Sequence, residues 1–270
     1  MIVLLVTCLT GVLVVMAGAP AILSSGTWQL RSPRVALTIW FFALFLGLSV
    51  LVAPLIVTLA TAVTTSPATS PQETLTLTIA AWLGLGGVGA ALAFIGMAAE
   101  PLVFSQRDQV SSIAFVARER EKREGFTLVR FESDEAIAMA VPGRQPEIFL
   151  SSACEELLSA PQLQAVLAHE LAHLRQLHGW AVRIAEINAT LVGWLPAGRR
   201  LQQATLLLVE LAADDTAARQ AGPAHLANAL AILSDATGDP SLELRALRLT
   251  TKRWPGKARR RLPPSVRLAA

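Results

Sequence analysis

The chain has 270 residues, 53% of them hydrophobic and only 16% charged, with a formal net charge of +3. A composition this apolar, with a mean hydropathy of +0.50, excludes an ordinary soluble domain of this size and puts a membrane class first. Two cysteines, Cys8 and Cys154, exclude a disulfide framework and a paired-cysteine zinc site.

The charge is unevenly placed. The first hundred residues carry only Arg31, Arg34, Glu73 and Glu100, so the chain divides into a membrane region over 1–103 and a globular remainder from 104 on. Residues 1–23 are uncharged and, at about 1.5 Å of rise per residue, long enough to cross a hydrocarbon core of about 30 Å. A cleaved signal peptide is the rival reading, on Ala17-Gly18-Ala19, but no basic residue precedes the apolar run. Residues 35–61 and 77–99 read as the second and third spans, the third carrying Gly84, Gly86, Gly87 and Gly89, which let helices approach closely.

Orientation follows from the arginines. Arg31 and Arg34 lie between spans one and two, whereas the loop before span three has no Lys or Arg, so the first loop and, by span count, the globular part are expected in the cytoplasm. Arg107 and the mixed-sign run 118–123 fit that side, and the run itself reads as a solvated helix face. Membrane-proximal charge explains these basic residues, and no direct nucleic-acid binding is expected.

From Phe126 the pattern turns to short β-type runs at 127–131, 136–141 and 147–151, separated by Ser133-Asp134-Glu135 and Pro142-Gly143-Arg144, which predicts a small antiparallel meander. Ser159-Ala160-Pro161-Gln162 is a capping box with proline in the first turn, opening a helix to about Gly179. Further helices are expected at 181–195, 199–220 and 223–233, giving an α+β domain over 104–238 and a basic tail over 239–270. The stretch 181–196, flanked by Trp180 and Trp194 and interrupted by Arg183 and Glu186, is expected at the membrane interface or packed internally.

The capped helix contains His169-Glu170-Leu171-Ala172-His173. Histidines four apart share one helical face and can reach one metal, while Glu170 points beside them toward a metal-bound water. Zinc lowers the pKa of such a water from 15.7 to about 7, so that a neighbouring carboxylate can take its proton. A catalytic zinc needs a third protein ligand. His178, about 7.5 Å of rise beyond His173 and off its face, could reach the metal only if the helix broke. Glu210 is the better candidate, with Asp214 four residues on, where one carboxylate can bind zinc and the other orient a ligand imidazole. His225 or Arg219 is a candidate to stabilise the oxyanion of a tetrahedral intermediate.

Pro146-Glu147-Ile148-Phe149-Leu150-Ser151-Ser152, the run from Leu163 to His173, and Glu210 with Asp214 resemble the integral-membrane gluzincin metallopeptidases. The resemblance is closest to family 56, the BlaR and MecR antirepressor type, and extends to family 48, which contains membrane heat-shock and CAAX prenyl proteases. It covers about residues 1–235 and implies an N-terminal membrane region before a zincin-like α+β protease domain. It implies a zinc cofactor held by His169, His173 and Glu210, Glu170 as catalytic base, Asp214 behind a ligand, and 147–151 as the edge strand along which a substrate adds. The implied activity is zinc metalloendopeptidase, with a protein or peptide substrate, in the antirepressor case a cytosolic transcriptional repressor. A housekeeping quality-control protease and a non-proteolytic membrane scaffold with a structural zinc are the alternatives. The chain ends before any extracellular penicillin-binding domain of the antirepressor type, so β-lactam sensing by it alone is not expected.

Overall fold

The computed structural model describes residues 25–64, 117–254 and 263–267, with isolated positions at 10, 18, 22, 23, 75, 78, 79, 82, 85, 86 and 89. The chain forms two compact units, Met1–Leu102 with Ala185–Ala204, and Val103–Ile184 with Thr205–Ala270.

In the first unit, α1 (Trp28–Arg31) leads into α2 (Pro33–Thr64), which contains the whole of the expected span 35–61. Proline at its first position removes only an N–H that would have no partner there. Arg34 is its one charge, and Phe42, Phe45, Leu48 and Ile56 stand exposed along it. Among the described residues no helix is long and apolar enough to cross a membrane. Many side chains of α2 from Val50 on, and nearly all of the expected spans 1–23 and 77–99, lie outside the described residues. The stretch 185–204 belongs to this unit and not to the one carrying the H-E-x-x-H helix.

The second unit is built on a four-stranded sheet of β1 (Ala117–Arg123), β2 (Phe126–Phe131), β3 (Ala138–Val141) and β4 (Glu147–Ser151), in the order β1-β2-β4-β3. Three expectations are corrected here. The charged run 118–123 is a strand and not a helix face; β1 pairs antiparallel with β2 across a turn at Gly125, whose φ of 89° favours glycine. Its charges are matched by ion pairs such as Arg130 with Glu119 and Arg118 with Glu132. The sheet is mixed and not an antiparallel meander, because the β3–β4 hairpin folds β4 back between β3 and β2, so β2 and β4 run parallel. Hence 147–151 is a central strand, with Ile148, Phe149, Leu150 and Ser151 all buried, and the edge on that side is β3.

Helices α3 (Ser152–Leu157) and α4 (Ala160–Arg175) follow, then α5 (His178–Val192), α6 (Pro196–Ala221), α7 (Pro223–Thr237) and α8 (Pro240–Thr251). The capping box on α4 forms as expected, Gln162 Oε1 accepting from the Ser159 N–H at 2.8 Å. The helix stops at Arg175, short of Gly179, because Leu177 takes a left-handed φ of 54°. α8 was not legible as an element. Asp239 caps it, accepting from the Ser241 N–H at 2.8 Å, and Ala246 and Leu249 bury its inner face.

One face of β2 and β4, with Leu128, Ile148 and Leu150, packs on Leu163, Val166, Leu167 and Leu171 of α4 and on Leu226 and Leu230 of α7. Burying each such side chain stabilises the fold by about 1.5–3 kcal/mol. The other face holds Val129, Phe131 and Phe149. Sheet and core thus fix α4, and Gln176 just past its end donates to Thr216 Oγ1 of α6 at 3.0 Å, fixing the register of α4 against α6.

Candidate metal centre

His169 and His173 lie one turn apart on α4, on the side facing α6. Their Nε2 atoms are 3.0 Å apart. Glu210, on α6, brings Oε2 to 3.3 Å from His169 Nε2 and Oε1 to 3.5 Å from His173 Nε2. These three residues could hold a metal ion, their ligand atoms all lying within 4.8 Å of one another. The fit can be tested on the donors. Ligands about 2.1 Å from a tetrahedral ion are separated by about 3.4 Å, and the donor pairs here match that spacing to within a few tenths of an ångström. Two imidazoles and a carboxylate are also a donor set of the kind that leaves one position open on zinc.

Each histidine is gripped from behind. His169 Nδ1 lies 3.0 Å from Asp214 Oδ1, and Asp214 is fully buried four residues after Glu210 on α6. His173 Nδ1 lies 3.2 Å from Nδ1 of His178, itself buried. The left-handed turn at Leu177 makes this possible. It ends α4 and starts α5 so that His178 folds back on His173, behind the ring and not at the donor cluster. Both contacts turn Nε2 of each histidine toward the shared centre.

The electrostatics are those of a compact charged cluster. Burial disfavours protonated His169, but Asp214 and Glu210 outweigh it and raise its pKa to about 10 in the metal-free protein. Burial and the charge of His169 push His173 down to about 3. Burial would raise Glu210, yet His169 and Arg245 hold it at about 2, and Asp214 is depressed in the same way, against burial, by Arg245 and His169. Glu170 behaves oppositely. Burial lifts it to about 7, although it accepts a hydrogen bond from the Ala140 N–H, on edge strand β3, at 2.8 Å.

The sequence reading missed Arg245. From α8 its guanidinium donates to Asp214 through Nε at 2.9 Å and Nη2 at 2.7 Å, and Nη1 lies 3.0 Å from Glu210 Oε2. A signal was present: Asp239-Pro240-Ser241 is a helix start, and the apolar residues Leu242, Ala246 and Leu249 share one face with an arginine. The two residues that could have faced an oxyanion, His225 and Arg219, lie elsewhere. His225 is exposed, and Arg219 acts on Lys252, in a second cluster with Asp215 and Arg248.

Comparison with known proteins agrees on chemistry. Residues 105–207 match Peptidase family M48, a stretch that includes the H-E-x-x-H helix but ends before Glu210. The chain is 44% identical over 52 residues to "Plastoglobule-localized metallopeptidase 48, chloroplastic" from Arabidopsis thaliana. That stretch is 19% of this chain and 15% of the relative, so the chain covers a small part of that protein. No solved structure matches the chain. The likeness found is to family 48 metallopeptidases over part of the chain, and the closer likeness to family 56 expected from the sequence is not what the comparison finds.

Proposed function

We propose that this chain is a membrane-anchored zinc metalloendopeptidase. The observation that carries the proposal is the convergence of His169, His173 and Glu210 at separations suited to one tetrahedral ion, with Glu170 next to His169 on the same helix. In this reading the three residues hold zinc and Asp214 and His178 orient the imidazoles. A zinc ion held there would supply a Lewis acid and an acidified water. Glu170 would serve as the base, taking a proton and then handing it to the leaving amine. Edge strand β3 offers its open side to an extended peptide, and its Ala140 N–H, which holds Glu170 at 2.8 Å, brings the base to that same edge.

Membrane anchoring is supported by the apolar N-terminal third and by the exposed phenylalanines of α2, since water-exposed apolar surface of that extent is uncommon on soluble proteins. Arg31 and Arg34 favour a cytoplasmic catalytic unit. A reporter fused after Ala270 should be active on the cytoplasmic side, and activity only outside would overturn the orientation. Cleavage of a transcriptional repressor rested on likeness to family 56. The family 48 match favours housekeeping turnover of membrane or membrane-proximal proteins instead. A scaffold that keeps zinc only for stability has no use for a glutamate beside the ion, and Glu170 is present.

The direct test is hydrolysis of an unfolded protein by the purified full chain. Activity should vanish with a chelator and return on adding zinc. Hydrolysis that persists in chelator would overturn the reading.

A further inference from the structure

We propose that Arg245 is a positioning residue of this centre, a single guanidinium on α8 that holds both Glu210 and Asp214 and so sets the metal affinity. The proposal rests on the metal-site reading above. Glu210 and Asp214 are one turn apart on α6 and approach the histidines of α4 from one side. The Glu210 side chain is 36% exposed, and ordering a glutamate costs up to about 1.5–2 kcal/mol of rotamer entropy. Arg245 supplies that order. Its Nε and Nη2 fork onto the two oxygens of Asp214, and Nη1 reaches Glu210 Oε2. With Oε2 pinned, both Glu210 oxygens stay turned to the histidines, and Asp214 Oδ1 stays 3.0 Å from His169 Nδ1.

The chemistry requires arginine in particular. The planar fork makes three directed contacts at once, whereas an ammonium in the same place is a point charge that can satisfy one carboxylate or share itself loosely between two. The guanidinium also balances charge. Without it, the fully buried carboxylate of Asp214 and the part-exposed one of Glu210 would have His169 alone as their shared partner, and an under-compensated buried carboxylate is expensive in a low-dielectric interior. Its Nη2 lies 3.4 Å from His169 Nε2, so it borders the donor cluster without contributing a ligand.

The test compares wild type, Arg245→Lys and Arg245→Met, each as the full chain. Zinc affinity is measured by competition with a chromophoric chelator, and metal-free unfolding is followed alongside. Arg245→Lys keeps the charge and the fold but should lose about ten- to a hundredfold in zinc affinity, and Arg245→Met should lose more. Metal-free unfolding of Arg245→Lys should stay close to wild type, so that its loss of zinc affinity reads the positioning of the ligands and not a loss of fold. Equal zinc affinity in wild type and both variants overturns the proposal while leaving the metal site intact. A loss of zinc affinity that merely tracks a loss of metal-free stability also overturns it, since Arg245 would then hold the fold and not the ligands. If wild type itself binds no zinc, the metal-site reading fails and this inference fails with it.

Discussion

Replacing His178 by alanine distinguishes a ligand from a residue that orients one. His178 is buried five residues after His173, close enough in sequence to be mistaken for the third ligand, yet its Nδ1 lies 3.2 Å from the Nδ1 of His173, on the far side of that ring from Glu210. His173 Nε2 faces the donor cluster, so Nδ1 must carry the proton and donate it to His178. Alanine removes this acceptor and should lower zinc affinity by about ten- to a hundredfold, or about 1.4–2.8 kcal/mol. Glu210→Ala removes one of three donors and should leave the protein nearly metal-free at zinc concentrations that fill the His178→Ala site. His178→Asn, whose side-chain oxygen can accept from His173, should recover part of the loss. Competition between each protein and a chromophoric chelator measures all of these. If His178→Ala empties the site while Glu210→Ala stays loaded, the ligand set is wrong and the turn at Leu177 has been misread.

Asp214→Asn should destabilise the metal-free protein by about 3–5 kcal/mol at neutral pH, by breaking the buried pair with Arg245. Because the folded pKa of Asp214 lies below its ordinary 3.8, that contribution is complete above 3.8 and fades as pH falls through the folded value; denaturant unfolding at several pH values in chelator should show the gap between wild type and variant closing in acid. Zinc binding at pH 7 should release about one proton, since metal-free His169, raised to about 10, must give up its Nε2 proton to bind; calorimetry in buffers of different ionisation enthalpy reads this, and zero release would contradict the assigned cluster. Leu177→Gly should stabilise the fold by about 1 kcal/mol in urea unfolding, because Leu177 is exposed and holds a left-handed φ of 54°.

The candidate site was legible where it rests on local periodicity. A capped helix puts His169 and His173 on one face whatever the rest of the chain does, and Glu210 with Asp214 obeys the same spacing on α6. What sequence could not give was non-local. The pairing of β4 between β2 and β3 depends on how a hairpin folds back, which short apolar runs do not encode, so the edge strand was placed on 147–151 in place of β3. The run 118–123 has no apolar period in either register and reads as solvated; its antiparallel pairing with β2, a non-local contact, makes it a strand. Arg245 was missed because α8 follows a stretch that looked like a charged tail. Its partners are 31 and 35 residues away in sequence, beyond any helical spacing.

The most direct test of the whole account is a paired measurement on wild type and Glu170→Gln: zinc content by elemental analysis, and hydrolysis of an unfolded protein. Glutamine keeps an oxygen to accept from the Ala140 N–H and removes no ligand, so the metal should stay; only the base is lost. The account predicts about one zinc per chain in both proteins and hydrolysis in wild type alone. Undiminished hydrolysis by Glu170→Gln, or a wild type purified and assayed without zinc yet fully active, would contradict it.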